Sequence, residues 1–185
     1  MLISGVSALS YEPGAKQLNE TIANGDVVTA LHLLSSTPEL ATGHDGGGWT
    51  PLMSACRIRN VELIQKLLLL GANVHQRNLP NPKNGEGDNF ALWFTANQKQ
   101  PNRVEVAKLL VEHGAMVNAV GEFGETPLHQ AAAWDNADIA EYLISVGANV
   151  NAEIISGKHP LSLAVKYNFE DVAKVLRAYG AREMS

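Results

Sequence analysis

Four glycines, Gly71, Gly114, Gly147 and Gly180, each sit in a version of the same phrase. Leu67–Gln76 reads LLLLGANVHQ, and Leu109–Ala119 reads LLVEHGAMVNA. Tyr142–Ala152 reads YLISVGANVNA, and Val175–Arg182 reads VLRAYGAR. The intervals between the glycines are 43, 33 and 33 residues. A second phrase lies upstream. TPLMSAC begins at Thr50, TPLHQAA at Thr126 and HPLSLAV at His159, each 21 residues before its glycine. FALWFTA begins at Phe90, 24 residues before its glycine. Two phrases in fixed register describe one unit used several times. Such a unit has one apolar face and nothing of its own to bury it against, so the units must stack.

Each phrase has a local physical reading. A Thr before Pro caps a helix through its hydroxyl, and Pro suits the first helical position. Ala55, Ala131, Ala132 and Ala164 are small and let neighbouring helices approach. The second helices show i, i+3, i+4 spacing in Val61, Ile64, Leu67 and Leu68. Ile139, Leu143 and Ile144 repeat it, as do Val172, Val175 and Leu176. The four glycines then fall where a left-handed C-cap ends a helix.

The period and both phrases resemble the ankyrin repeat over roughly Asp45 to Arg182. The resemblance implies an all-α fold, an ankyrin-repeat solenoid of stacked helix-turn-helix units with short β-hairpin-like finger loops. About five helix pairs are expected. The divisions read from the register are an N-terminal arm (1–15), a divergent N-terminal capping repeat (16–44) and a repeat (45–77). A repeat with an inserted finger loop (78–119), another repeat (120–152) and a C-terminal repeat or cap (153–185) follow. The opening unit, Leu18 to Leu34, keeps two helices and an Asn-Gly-Asp turn without a Thr-Pro-Leu-His phrase. Edge units of such arrays are atypical because one face meets water.

The long interval places about ten extra residues in the second full unit. Three fall between its helices, around Gln98 to Pro101, and about seven in the finger from Asn78 to Asn89. Prolines, glycines and asparagines make that finger a loop. It is either an added binding arm or neutral length drift.

Composition limits the function classes. Hydrophobic residues make up 45% and charged residues 18%, enough for a core. A net charge of −5 and a pI near 5.6 disfavour nucleic acid and anionic membrane surfaces, which select a cationic footprint. With a single cysteine, Cys56, no disulfide can close within the chain, and a reducing compartment is the simpler assumption. The N-terminal MLISGVSALSYEPG lacks a Lys or Arg before its short apolar run, so it reads as an arm of the protein and not a signal peptide. No apolar run approaches the roughly 18 to 20 residues of a membrane span. A cytoplasmic protein, monomeric when free, is expected.

No reactive constellation stands out. The six histidines show no His-x-x-x-His spacing and have no cysteine partner, so no metal is expected. His129 occupies the family's Thr-Pro-Leu-His position, where the resemblance implies structural hydrogen bonds between loops. His159 replaces Thr, where capping is weaker. Glu122, Glu125, Asp135 and Asp138 read as solvated charges, and Cys56 as a buried small hydrophobe. The Gly-rich His44–Trp49 and Lys83–Asn89 fit no phosphate-binding fingerprint and read as fingers. The expectation is no catalysis and no cofactor.

What remains is recognition. The resemblance implies a concave face lined by finger tips and the exposed sides of the first helices. Transferring the family's variable positions gives Trp49, Arg57 and Ile58, then Glu86, Asn89 and Trp93. The next unit gives Glu122, Phe123, Glu125 and Trp134, and the last gives Ile155, Lys158, Lys166 and Tyr167. Trp49, Phe123, Trp134 and Tyr167 read as aromatics the core does not need, although Trp49 serves equally well in packing between fingers. Aromatics and Arg anchor interfaces. The expected function is a non-catalytic scaffold for a protein partner with a basic patch. The resemblance extends to small bacterial ankyrin proteins, some of which neutralise a toxin or effector as inhibitors or immunity proteins. A structural or regulatory subunit is the alternative, and an enzyme a third reading.

Overall fold

The computed structural model describes residues 13–79, 87–97 and 102–182. Among these residues ten α-helices form five consecutive pairs: α1 (Pro13–Ala23) with α2 (Val27–Ser36), α3 (Pro51–Ile58) with α4 (Val61–Leu69), and α5 (Ala91–Ala96) with α6 (Arg103–Glu112). The last two pairs are α7 (Pro127–Ala133) with α8 (Ala137–Ser145), and α9 (Pro160–Lys166) with α10 (Glu170–Ala178). A 3-10 turn, Pro38–Thr42, follows α2. The odd-numbered helices stack in sequence to make one layer, and the even-numbered helices make the other. This is the all-α solenoid that the repeat register predicts.

Equivalent positions carry the core. Leu52, Leu92, Leu128 and Leu161 are buried in the first layer. Behind them lie the small residues Ala55, Thr95, Ala131 and Ala164, also buried. In the second layer Leu67, Leu110, Leu143 and Leu176 are all fully buried. Small residues between the large ones let the pairs close to native density.

Helix ends follow from the residues at them. Thr50 Oγ1 accepts the Met53 amide at 3.2 Å, and Asn60 Oδ1 accepts the Leu63 amide at 2.8 Å. At the other ends, Gly71, Gly114, Gly147 and Gly180 have φ of 86°, 90°, 100° and 84°. The amides of Ala72, Ala115, Ala148 and Ala181 return to the carbonyls of Leu67, Leu110, Leu143 and Leu176 at 2.9–3.0 Å, closing each helix. A Cβ at any of these four glycines would meet nothing within 4 Å, so the left-handed backbone, not crowding, favours glycine there.

A second left-handed position recurs between the paired helices; Gly25 (φ 79°) holds it in the first pair, and the other four pairs fill it without glycine. Arg59, Asn102, Asp135 and Asn168 have φ of 53°, 59°, 52° and 57°. Their spacing of 43, 33 and 33 repeats that of the glycines, so both sets mark the same unit.

The fingers close alike. Asp45 N–H donates to the Trp49 carbonyl at 3.0 Å, Gly121 to Glu125 at 2.8 Å and Ile154 to Lys158 at 3.0 Å. In the second unit the matching bond runs from Asn78 to the Asn89 carbonyl at 3.2 Å. That pair is eleven residues apart where the others are four apart, so the seven extra residues lie inside this finger. Residues 80–86 of it, and residues 98–101 of the other insertion, lie outside the described residues.

Candidate protein-binding face

Adjacent fingers are tied in register. Leu79 N–H donates to the Gly47 carbonyl at 2.7 Å, joining the first full finger to the second. Ile155 N–H donates to the Phe123 carbonyl at 3.0 Å, joining the third to the fourth. Between the second and third, Arg77 Nη1 donates to the Val120 carbonyl at 2.6 Å. The same nitrogen lies 2.8 Å from the Asp88 carboxylate, and the guanidinium covers the Phe90 ring at 5.1 Å. The sequence offers no cue to this role for Arg77, because the repeat pattern leaves that position open.

Exposed apolar residues gather on the third and fourth units. Phe123 is 56% exposed and Ile155 80%, both on finger tips. Trp134 and Tyr167 are about equally exposed, at 45% and 46%. They occupy equivalent C-cap positions at the ends of α7 and α9, which pack directly on each other. Glu122 and Glu153 are exposed beside them. The half-exposed Glu125 accepts the Phe123 amide at 3.0 Å and fixes the finger turn. Lys158 is exposed, and Lys166 is exposed with its ammonium 5.1 Å over the Tyr167 ring.

The first two full units differ. Trp49 is half-buried against the core, its ring 4.7 Å from that of Phe94. Its indole N–H donates to Ser54 Oγ at 2.7 Å, and its carbonyl accepts from Asn19 Nδ2 at 2.7 Å. The expectation that the core has no need of Trp49 is therefore corrected: this aromatic joins α1, α3 and α5. Arg57 is exposed, 5.8 Å over the Trp49 ring. Ile58 is half-buried on the core. Asn89 is half-exposed, with its amide on Asn78 Oδ1 at 2.8 Å. Trp93 is half-buried edge-on to Phe94, with ring centres 5.1 Å apart. Glu86 lies outside the described residues.

His129 is fully buried in a capping arrangement. Its Nδ1 accepts from the Thr126 amide at 3.2 Å, which leaves the proton on Nε2 to be donated to the Lys158 carbonyl at 3.3 Å. Burial pushes its pKa down to about 4. It thus ties α7 to the next finger as a neutral ring. Trp93 takes the same place one unit earlier, and its buried Nε1 finds no acceptor. His159 does not cap through its ring; instead Ser162 Oγ accepts the His159 amide at 2.9 Å.

Other titratable groups serve packing. Cys56 is buried, and desolvation pushes its thiol up to about 12, so it holds no ready thiolate. Arg59 is buried and donates Nη2 to the Asn97 carbonyl at 2.6 Å, closing the end of α5. Burial and the Arg103 charge lower its pKa. Asn136 Nδ2 donates to the Ala96 carbonyl at 2.8 Å across the same joint. Among the described residues no group of three or more His, Cys, Asp or Glu side chains could hold a metal.

Stacked helix pairs with tied fingers define a repeat scaffold, with exposed aromatic side chains on its third and fourth units. A family profile for ankyrin repeats (3 copies) matches residues 9–119 and 92–184. The chain belongs to the ankyrin-repeat family. Part of it is similar to a fowlpox virus (strain NVSL) protein named for its ankyrin repeats, 37% identical over 86 residues. That match covers 46% of this chain and 23% of the viral protein. It is also similar to human ankyrin repeat and SOCS box protein 16, 37% identical over 112 residues, covering 60% of this chain and 22% of that protein. A Notamacropus eugenii protein with ankyrin repeat, SAM and basic leucine zipper domains is 28% identical over 128 residues, covering 68% of this chain and 25% of that protein. The chain thus spans about a quarter of the length of these relatives. Ankyrin repeats indicate a protein–protein interaction scaffold. No helix among the described residues is long and apolar enough to cross a membrane.

Proposed function

We propose that this chain is a non-catalytic scaffold that holds a cognate protein on the face formed by its finger tips and first-helix ends. The observation that carries this reading is the row of exposed apolar side chains on units three and four: Phe123, Trp134, Ile155 and Tyr167. A rigid, open surface with aromatic anchors suits a folded protein better than a small metabolite, which needs a concave pocket. Glu122, Glu125 and Glu153 on the fingers, with the net charge of −5, favour a partner with a basic patch. The finer reading is inhibition in the cytoplasm: an array that covers a basic toxin or effector acts with no reaction of its own. A place as a structural or regulatory subunit is the second reading, favoured by the relatives' greater length, which leaves room for other domains.

The test joins capture with calorimetry. A partner captured from the native host is purified and titrated against the array and against Phe123→Ala with Trp134→Ala. A loss well above about threefold, roughly 0.65 kcal/mol, supports the face. A smaller change moves binding elsewhere on the array.

A further inference from the structure

Two asparagines bridge neighbouring units beyond the second helices, and a histidine stands where a third would be. Asn118 Nδ2 donates to the Gly147 carbonyl at 2.8 Å, and its Oδ1 accepts the Asn149 amide at 2.8 Å. One unit later Asn151 Nδ2 donates to the Gly180 carbonyl at 3.4 Å, and its Oδ1 accepts the Arg182 amide at 2.9 Å. Each carboxamide thus clamps the turn that ends the next unit's second helix. Asn118 and Asn151 lie four residues after the glycine of their own unit, and four residues after Gly71 comes His75. A carboxamide offers a donor and an acceptor side by side, whereas the two nitrogens of an imidazole point apart. His75 is exposed. Among the described residues its ring makes no hydrogen bond, and neither does the Met116 amide, the equivalent of the Asn149 and Arg182 amides.

The joint between the first and second full units is therefore tied on one side only. In the first layer the Trp49 and Phe94 rings meet at 4.7 Å, and Arg59 Nη2 donates to the Asn97 carbonyl at 2.6 Å. The Leu79 amide ties the two fingers through the Gly47 carbonyl at 2.7 Å. In the second layer α4 meets α6 over a shorter stretch than α8 meets α10. The next joint has the Asn118 clamp, the Arg103–Asp138 ion pair at 2.7 Å and the Lys108 ammonium 6.0 Å from the Tyr142 ring centre. At the start of the array the 3-10 turn, with Leu40 and Ala41 buried, packs on α1, α2 and α3 and binds the opening pair to the first full unit. In a stacked array each unit touches only its neighbours, so the joint with the fewest ties opens first. Apolar contact is non-directional and resists tilting less than a two-pronged hydrogen bond does.

We infer that the array hinges between its first and second full units, with α1–α4 swinging as one body against α5–α10. The tied fingers and first helices form the axis, and α4 parts from α6. Opening there changes the angle between the unit of Trp49 and the units that carry Phe123, Trp134, Ile155 and Tyr167. The hinge belongs to the free array and stands apart from the reading of its partner.

Leu69, Glu112, Ser145 and Ala178 occupy equivalent exposed positions, each two residues before its glycine. Spin labels on Leu69→Cys with Ser145→Cys span two joints, including the one with His75. Labels on Glu112→Cys with Ala178→Cys also span two joints, both clamped. Cys56 is buried and stays unlabelled. Pulsed dipolar distance measurements on the whole chain read the width of each distance distribution. The first pair should give a distribution roughly twice as wide as the second. His75→Asn, which supplies the missing carboxamide, should narrow the first and leave the second unchanged. Asn151→His, which removes a clamp crossed only by the second pair, should widen the second and leave the first unchanged. Circular dichroism checks that each variant keeps its helices. Equal widths for the two pairs overturn the inference, as does a first distribution that His75→Asn leaves as wide as before. A second distribution untouched by Asn151→His also overturns it, because the carboxamide would then not set the stiffness of a joint.

Discussion

Arg77 Nη1 donates to the carbonyl of Val120 at 2.6 Å, across 43 residues of chain. Elsewhere a backbone bond ties one finger to the next, as between Leu79 and Gly47 or between Ile155 and Phe123. At the joint beside the longer finger, a guanidinium makes the tie. It also holds the finger base through Asp88, whose left-handed backbone (φ 54°) occupies the turn position of Gly48 and Gly124. Arg77→Ala should therefore lower stability by about 1–2 kcal/mol, less than a fully buried charged bond because the ion pair is partly exposed. Hydrogen exchange at Asp88 and Asn89 should rise more than at Gly157. Uniform acceleration across all the fingers would contradict a local tie.

Leu143 is fully buried in α8, between α7 and α10, and Glu122 is exposed on a finger. Leu143→Ala should cost about 2 to 5 kcal/mol through lost contacts and the cavity left behind. Glu122→Ala should change stability by no more than about half a kcal/mol. Chemical denaturation reads both. Comparable losses would mean that the buried and exposed faces are wrongly placed.

His129 predicts a pH dependence with a definite sign. Its ring has a pKa of about 4 when folded, against an ordinary value near 6.5. The unfolded chain therefore binds more protons between those limits, so stability from this residue is complete above pH 6.5 and falls as pH drops toward 4. The loss amounts to up to about 3 kcal/mol. In urea titrations from pH 7.5 to 4, His129→Gln should begin less stable and show a shallower decline. Parallel curves for the two proteins would remove His129 from the account.

Cys56 should stay silent toward a thiol reagent at pH 8. Its thiol is buried and pushed up to about 12, which leaves almost no thiolate. Labelling should follow the unfolding transition in urea. Fast labelling of the native protein, complete before unfolding, would place Cys56 at the surface.

How much of this the sequence revealed depends on what each residue answers to. The glycines at 71, 114, 147 and 180 and the Thr-Pro starts answer to backbone geometry that few residues satisfy, so their register was legible. Arg59, Asn102, Asp135 and Asn168 hold an equally regular left-handed position; Asn and Asp tolerate that backbone, but three residue types share the position and Arg59 breaks the pattern, so the signal is fainter than a repeated glycine. Trp49 and Trp134 look alike in the sequence, since both are aromatics in variable positions. Only the tertiary neighbours Ser54, Asn19 and Phe94 show that the first belongs to the core. Phe123, Trp134 and Tyr167 are exposed, as the repeat register predicts for side chains on finger tips and first-helix ends. Arg77 and Asn136 were not legible, because their acceptors are backbone carbonyls 43 and 40 residues away, which carry no side-chain identity.

Hydrogen exchange of the array with and without its purified partner tests the central claim most directly. The account predicts slowed exchange at residues 120–126 and 153–158 of the fingers and at residues 133–136 after α7, with little change in α4, α6 and α8. Slowing confined to α4, α6 and α8, with the two fingers unchanged, would contradict it and place recognition on the opposite layer.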